Sequence, residues 1–196
     1  QAAGIEPTVD MNPILIKPSA DRKAQIVLLG KPIQDMSVYD YVEYKKKARK
    51  VVGDSYQRLA GHFDVVVIEG AGSPAEINLK EHDIVNMSMA EQANASVILV
   101  GDIDKGGVFA WLVGTLELLT TGERARVKGF IINKFRGDKR LLRSGITWLE
   151  KKTGIKVLGV IPYFRNIKVA EEDAVSLERY SSYRLLPSKA KKLIDI

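Results

Sequence analysis

Residues 96–107 read Ser-Val-Ile-Leu-Val-Gly-Asp-Ile-Asp-Lys-Gly-Gly, a short apolar run that ends in two acids and two glycines. A continuous run of β-branched and aliphatic residues, bounded by turn residues, is typical of a strand covered on both faces. In many nucleotide-binding proteins a buried strand ends near an aspartate that reaches the Mg²⁺ of the nucleotide. Asp102 is a candidate for that role. The alternative is that Asp102 or Asp104 caps the helix that follows.

Four further apolar runs alternate with helical patterns along the chain. The runs lie at 25–29, 64–68, 127–132 and 155–161. The helical patterns lie at 38–59, 81–92, 108–120 and 139–152, and Gly154 is a stop signal for the last. This alternation predicts an α/β fold with a mostly parallel, doubly wound sheet. Residues 1–21, which contain three prolines, are expected to form an irregular front end.

The composition excludes several classes of protein. The 196 residues hold no cysteine and two histidines, which excludes a disulfide framework, a thiolate zinc site, a cysteine nucleophile and a histidine-rich metal site. No apolar run approaches the ~18 residues of a membrane helix, and the first residues lack a signal-peptide pattern. We therefore expect a cytoplasmic protein with no membrane partner. The missing initiator methionine indicates a piece of a longer chain.

The net charge of +6 is concentrated at the end of the chain. Residues 179–196 hold five Lys and Arg against one Asp, and they have the character of a linker. The basic cluster at 45–50 falls in a helical pattern, where it forms a solvated face. We therefore expect no nucleic-acid partner, although a basic balance is the usual electrostatic signature of one.

The residues after each strand are the candidates for a site, because ligands bind beyond the carboxyl ends of strands in such sheets. Glu69 follows the second run and could hold Mg²⁺, while Gly70 and Gly72 let a ligand approach the backbone. The alternative there is a turn with a solvated acid. Asn133 follows the fourth run and could hydrogen-bond an adenine through its amide. Residues 162–164, Pro-Tyr-Phe, follow the fifth run and could flank a base, the alternative being that the aromatic residue packs at the edge of the fold.

Two nucleotide-binding motifs are incomplete. Residues 133–136 resemble the guanine-reading Asn-Lys-x-Asp motif, but Arg136 stands where its aspartate should be. No segment matches the phosphate loop Gly-x-x-x-x-Gly-Lys-Ser/Thr, and Pro32 replaces the hydroxyl residue after Gly30-Lys31. The sequence therefore predicts magnesium-binding and base-reading loops without a phosphate cradle.

A series of motifs resembles cobyric acid synthase, in the order found in that family. These motifs lie at 4–18, 69–79, 83–87, 102–110, 132–138 and 171–173. The resemblance covers residues 1–178 and implies a P-loop NTPase domain of the dethiobiotin synthetase type that lacks its P-loop strand. Residues 179–196 would then lead to an absent C-terminal glutamine amidotransferase domain.

The resemblance also implies a reaction. The family is an ATP-dependent ligase of cobalamin biosynthesis that amidates the b, d, e and g carboxylates of adenosylcobyrinic acid a,c-diamide. ATP phosphorylates a carboxylate, which is otherwise a poor electrophile, and glutamine-derived ammonia displaces the phosphate. The implied cofactors are ATP and Mg²⁺, and the implied partners are the corrinoid substrate, ammonia from the absent domain and further copies in a homo-oligomer.

Carried over residue by residue, the resemblance assigns roles to matching positions. Glu69 would be the Mg²⁺ ligand and, with Asp102, part of the catalytic set, while Gly70 and Gly72 would contact the nucleotide. Asn133 and Pro162 would face adenine. The corrinoid side would comprise Asn12, Lys17, Ser73, Glu76, Asn78 and Asn86. Lys17 has the alternative of a salt bridge on the surface.

The departures from the family define the expectations for this chain. Its P-loop would precede residue 1, so we expect an internal piece of a synthase, inactive alone, with uncovered strand edges and weak binding of ATP. Two other functions stay open. One is a partitioning ATPase that binds DNA or a membrane, although the stretch at 69–78 is foreign to that class. The other is a non-catalytic module that has kept the fold.

Overall fold

The computed structural model describes residues 4–20 and 23–164, which form two three-stranded sheets with their helices. The first unit contains a 3₁₀ turn (Val9–Met11), β1 (Ile14–Ala20), β2 (Lys23–Leu28), β3 (Lys31–Ser37) and α1 (Val38–Ala60). The second contains a 3₁₀ segment (Ile77–His82), α2 (Met87–Gln92), β4 (Val97–Asp102), α3 (Val108–Leu118), α4 (Thr121–Arg126), β5 (Val127–Phe135), α5 (Lys139–Thr153) and β6 (Val157–Pro162). The motif at 171–173 and the linker at 179–196 lie outside the described residues.

The first sheet is an antiparallel meander in the order β1-β2-β3. Leu29 and Gly30 both have positive φ, 46° and 76°, as the two central residues of a type I′ hairpin do. Such a turn forces neighbouring strands to pair antiparallel, whereas parallel strands need a crossover. The prediction of a parallel buried strand at 25–29 is therefore wrong, as is the prediction that residues 1–21 are wholly irregular, because β1 begins at Ile14.

The second sheet is parallel, in the order β4-β5-β6, with α3, α4 and α5 in the crossovers. Its core is built from side chains of both sheet and helices, including the fully buried Leu116, Phe130 and Leu149. Gly101 lies where α3 approaches β4, since a Cβ added there would stand 2.6 Å from the Val108 side chain. The predicted α/β class with parallel strands is confirmed.

Only one face of this sheet is well covered within the described part of the chain. Leu99 is buried, but its neighbours Ile98 and Val100 on β4 are 46% and 58% exposed, and Leu158 on β6 is also exposed. The strands thus alternate between a packed and an open face. This differs from the expectation that continuous apolar runs are covered on both faces. An apolar run shows that its residues are hydrophobic, but it does not show that a second layer of helices packs on the strand.

The run at 64–68 forms no strand. Its residues enter no ladder of the described structure, and Val65 and Val67 are 77% and 90% exposed. The strand prediction is wrong here because a β-strand exists only through hydrogen bonds to a neighbour, and this run has none among the described residues.

The helices follow the predicted patterns with two interruptions. The pattern at 81–92 divides because the Asp83 carboxylate accepts hydrogen bonds from the backbone N–H groups of Val85, Asn86 and Ser88, which separates the 3₁₀ segment from α2. The pattern at 108–120 ends at Leu118, and α4 then begins with a capping box between Thr120 and Glu123. In the described ranges no helix combines the length and the apolar character needed to cross a bilayer.

Candidate functional site

The carboxyl ends of β4, β5 and β6 bring three of the predicted site residues to one edge of the parallel sheet. Asp102 pairs with Asn133 in the register of β4 and β5, and Phe135 pairs with Pro162 in that of β5 and β6. The backbone N–H of Tyr163 donates to the carbonyl of Phe135 at 2.9 Å, which continues the contact beyond the last strand. Asp102, Asn133 and the Pro162 region therefore share the sheet edge where ligands bind in such folds.

Two ion pairs lie at this edge, one between the last residues of β4 and β5 and one between residues just beyond them. The Lys134 ammonium lies 2.8 Å from a carboxylate oxygen of Asp102, and the Arg136 Nε lies 2.8 Å from one of Asp104. The hydrogen bond from Lys134 holds the pKa of Asp102 below its ordinary value, and the same bond raises the pKa of Lys134. Both members of the first pair therefore stay charged over a wider pH range than they would apart.

Neither aspartate caps the following helix, so that alternative is wrong. The N-cap of α3 is Gly107, at a positive φ of 72°, and no side chain accepts a hydrogen bond there. Instead the second carboxylate oxygen of Asp102 accepts the backbone N–H of Asp104 at 3.0 Å. The Asp102 carboxylate is thus occupied on both oxygens.

The Arg136 guanidinium is held from two sides. Its central carbon lies 3.4 Å from the centroid of the Tyr163 ring, and its Nε and Nη2 both face the Asp104 carboxylate. Nearby, the side-chain oxygen of Asn133 accepts the backbone N–H of Lys134 at 2.9 Å. This bond fixes the orientation of the Asn133 amide and leaves its N–H₂ group as a donor.

Glu69 stands at the end of the exposed run 64–68 and is itself exposed. Its carboxylate forms no hydrogen bond or ion pair with any residue that the structure describes. Gly70 packs against the Asn86 amide, where a Cβ would collide, and Gly72 has a positive φ of 63°. The glycines are thus required by the backbone path of the loop, as well as being candidates for ligand contact.

A cavity of about 130 Å³ lies between this loop and the helices that follow. Ser73, Glu76 and Asn86 line it, so three predicted corrinoid residues come together. The Ser73 N–H donates to Glu76 at 3.1 Å, and the Asn86 amide donates to the carbonyl of Ala71 at 2.8 Å. The wall is completed by the Lys80–Glu123 ion pair, at 2.7 Å.

Other predicted residues lie elsewhere. Asn78 is exposed on the 3₁₀ segment and does not line the cavity, and neither do Glu69 and Asp102. Asn12 is exposed after the first 3₁₀ turn, and Lys17 pairs with Gln25 in the antiparallel sheet. The candidates therefore fall into three groups: the sheet edge, the loop with its cavity, and the antiparallel sheet.

The two cations of the sheet edge were not among the predicted site residues, whereas the Tyr163 ring beside them belongs to the segment expected to flank a base. Lys134 and Arg136 stand two residues apart after one strand, and Asp102 and Asp104 stand two apart after its neighbour. This matched spacing of opposite charges is the only signal in the sequence for the two ion pairs. Strand alternation does not predict them, because Asp102 pairs with Asn133 in the register and Lys134 has a positive φ of 60°.

The described residues provide no preformed set of metal ligands. No group of three or more His, Cys, Asp or Glu is placed among them to hold a metal ion. Mg²⁺ carried by a nucleotide usually takes only one or two carboxylates from the protein, with water and phosphate oxygens as its other ligands. The exposed Glu69 carboxylate fits that smaller requirement, whereas Asp102 is already occupied.

A comparison with family models places the chain. The model of the AAA domain matches residues 12–171, which is most of the chain. The chain belongs to the AAA domain family. The family is of the P-loop NTPase type, which agrees with the α/β fold and suggests nucleotide binding.

Proteins similar to this chain include several cobyric acid synthases. Those of Vibrio parahaemolyticus and Sorangium cellulosum are each 56% identical to it over 91% of its length, which corresponds to 37% and 34% of those proteins. That of Desulforamulus reducens is 60% identical over 91% of the chain and 35% of the protein. The chain thus spans about a third of the length of these curated relatives. No solved structure matches it.

Proposed function

We propose that this chain is the ATP-dependent synthetase part of a cobyric acid synthase. In the full-length protein it would serve the amidation of the b, d, e and g carboxylates of adenosylcobyrinic acid a,c-diamide, with ammonia supplied by a glutamine amidotransferase domain. The observation that carries the proposal is the 54–60% identity to cobyric acid synthases over about nine-tenths of this chain. Nothing in the comparisons favours a partitioning ATPase.

The proposed nucleotide end is the edge of the parallel sheet. Bound Mg·ATP would supply the phosphoryl group that turns a carboxylate into an electrophile for ammonia. Asn133 would donate its amide N–H to the base, because its oxygen is already engaged by the backbone. Asp102 would act as a positioning residue that holds the Lys134 ammonium at this edge.

The proposed metal ligand is Glu69. Its carboxylate is exposed and unengaged by other described residues, and it directly precedes the loop that contains Gly70 and Gly72. A hard cation such as Mg²⁺ prefers a carboxylate oxygen of this kind. Gly70 and Gly72 would let the loop approach the phosphates.

The proposed corrinoid side is the cavity beside the loop, with Ser73, Glu76 and Asn86 in its wall. At about 130 Å³ the cavity suits one peripheral side chain of a substrate and not a tetrapyrrole ring. Asn12, Lys17 and Asn78 are proposed as outer contacts, because none of them lines this cavity.

The experiment uses the full-length protein with the corrinoid diamide, glutamine and Mg·ATP, and counts amide groups by mass spectrometry. We expect Glu69→Gln to lower turnover by about a hundred-fold or more, since the amide would hold Mg²⁺ more weakly and the positive charge of that ion would stabilise the phosphoryl-transfer transition state. The matched control is Glu81→Gln, an exposed acid on the 3₁₀ segment outside the cavity wall.

A second readout separates metal binding from folding. Titration with Mn²⁺, followed by electron paramagnetic resonance in the presence of ATP, should show weaker binding in Glu69→Gln and unchanged binding in Glu81→Gln. Both variants should keep the melting temperature of the parent. Normal turnover in Glu69→Gln would reject Glu69 as the ligand, and a parent enzyme that leaves the corrinoid unamidated would reject the proposed function.

A further inference from the structure

We propose that Arg136 is the stacking platform for the base of the nucleotide, with its guanidinium plane sandwiched between that base and Tyr163. The inference rests on the proposed function in one respect, namely that an adenine nucleotide binds at the edge of the parallel sheet. The observation that carries it is the position of the guanidinium, which lies 3.4 Å above the Tyr163 ring while Asp104 holds its Nε and Nη2.

The contacts of Arg136 leave one of its faces available. Tyr163 covers one side of the plane, Asp104 takes one edge, and the side chain is still 48% exposed. A guanidinium held flat in this way has lost the freedom that a mobile arginine would give up on binding, so the platform is preorganised. Flat arginine planes stack on nucleic-acid bases as aromatic rings do.

The edge of Arg136 is poorly suited to a phosphate. Recognition of a phosphate by arginine uses two parallel N–H groups of one edge, and Asp104 already occupies the Nε and Nη2 edge. The Asp104 carboxylate would also repel a phosphate brought to the same place. The geometry therefore favours contact through the face, which suits a base, over contact through that edge.

Asn133 complements this platform at the end of the same strand. Its oxygen accepts the Lys134 N–H, so its N–H₂ group is the part left to meet a ring nitrogen acceptor. Arg136 would then supply stacking, which tolerates any purine, and Asn133 would supply the hydrogen bond that selects among them. The two residues divide affinity and specificity between them.

The test is calorimetric titration of the full-length protein with two probes, Mg·ATP and magnesium tripolyphosphate, which has no base. We expect Arg136→Ala to bind Mg·ATP about ten-fold more weakly, in line with the loss of one stacked base, while the affinity for tripolyphosphate stays unchanged. Arg136→Lys should behave like Arg136→Ala, because an ammonium keeps the charge but has no plane.

The matched control is Arg140→Ala, which removes an exposed arginine that is also paired with an aspartate, Asp138. It should leave both affinities unchanged. Equal losses for the two probes, full rescue by Arg136→Lys, unchanged Mg·ATP affinity in Arg136→Ala, or no binding of Mg·ATP by the parent protein would each overturn the proposal. Failure of the proposed function would be distinct, since the protein would bind Mg·ATP and leave the corrinoid unamidated.

Discussion

Two apolar runs of similar composition adopt different structures in this molecule, one as a strand and one without a strand partner among the described residues. Residues 64–68 read Asp-Val-Val-Val-Ile and residues 96–100 read Ser-Val-Ile-Leu-Val, and each is followed within two residues by an acid. The second run pairs with β5 and packs Leu99 against the core, whereas the first enters no ladder of the described structure and exposes Val67 almost completely.

The difference shows that an apolar run forms a strand only where neighbouring elements of the fold pair with it. β-Branched residues suit a pleated, half-buried surface, but the surface has to be supplied by a partner strand and a covering helix. β4 has β5 at one edge and α3 over one face, and these contacts are what residues 64–68 lack among the described residues.

The largest effect is expected from truncating a side chain in each run. Leu99→Ala should lower the free energy of unfolding by about 2–5 kcal/mol, because it leaves a cavity beside α3. Val67→Ala should change it by less than about 0.5 kcal/mol, as exposed substitutions usually do. Urea denaturation of the 196-residue chain measures both, and similar costs for the two variants would show that residues 64–68 are packed in solution.

A smaller effect should distinguish a crowded position of the parallel sheet from one with free space beside it. Gly101→Ala places a methyl group against Val108 and Leu112. We expect the free energy of unfolding to fall by about 1–3 kcal/mol because the site becomes overpacked. Its control is Gly159→Ala on β6, where an added Cβ meets nothing within 4 Å. Thermal unfolding should show a lower midpoint for the first variant alone. A matching loss in Gly159→Ala would mean that a layer covers that part of β6.

The smallest effect is expected from the ion pair that joins the ends of β4 and β5. The hydrogen bond from Lys134 lowers the pKa of Asp102 below its ordinary 3.8, so its stabilisation is present above that value and is lost as the pH falls through the lower folded value. Asp102→Asn should therefore flatten the fall in the urea midpoint below about pH 4. Unchanged acid dependence in this variant would show that the pair contributes nothing to folding, as exposed pairs often do.

The candidate site was predictable to different degrees in its parts. Asp102 and Asn133 could be placed at one sheet edge because alternating strands and helices predict a parallel sheet, whose strands all end at the same edge. The stacking of Arg136 on Tyr163 could not, since it joins the end of β5 to the residue after β6 and depends on the register of that pair. The cavity beside Ser73 likewise depends on how α4 brings Glu123 to Lys80 across the fold.

The sequence by itself determined the local elements whose causes are local. The helix at 139–153 is specified by its apolar spacing and by Gly154 at its end, and the membership in an AAA domain family is carried by motifs along the chain. Only the tertiary structure decided which apolar runs become strands, which faces are covered, and that the hairpin at Leu29-Gly30 makes the first sheet antiparallel. Hydrophobicity is a property of each residue, whereas pairing, coverage and register are relations between segments far apart in the chain.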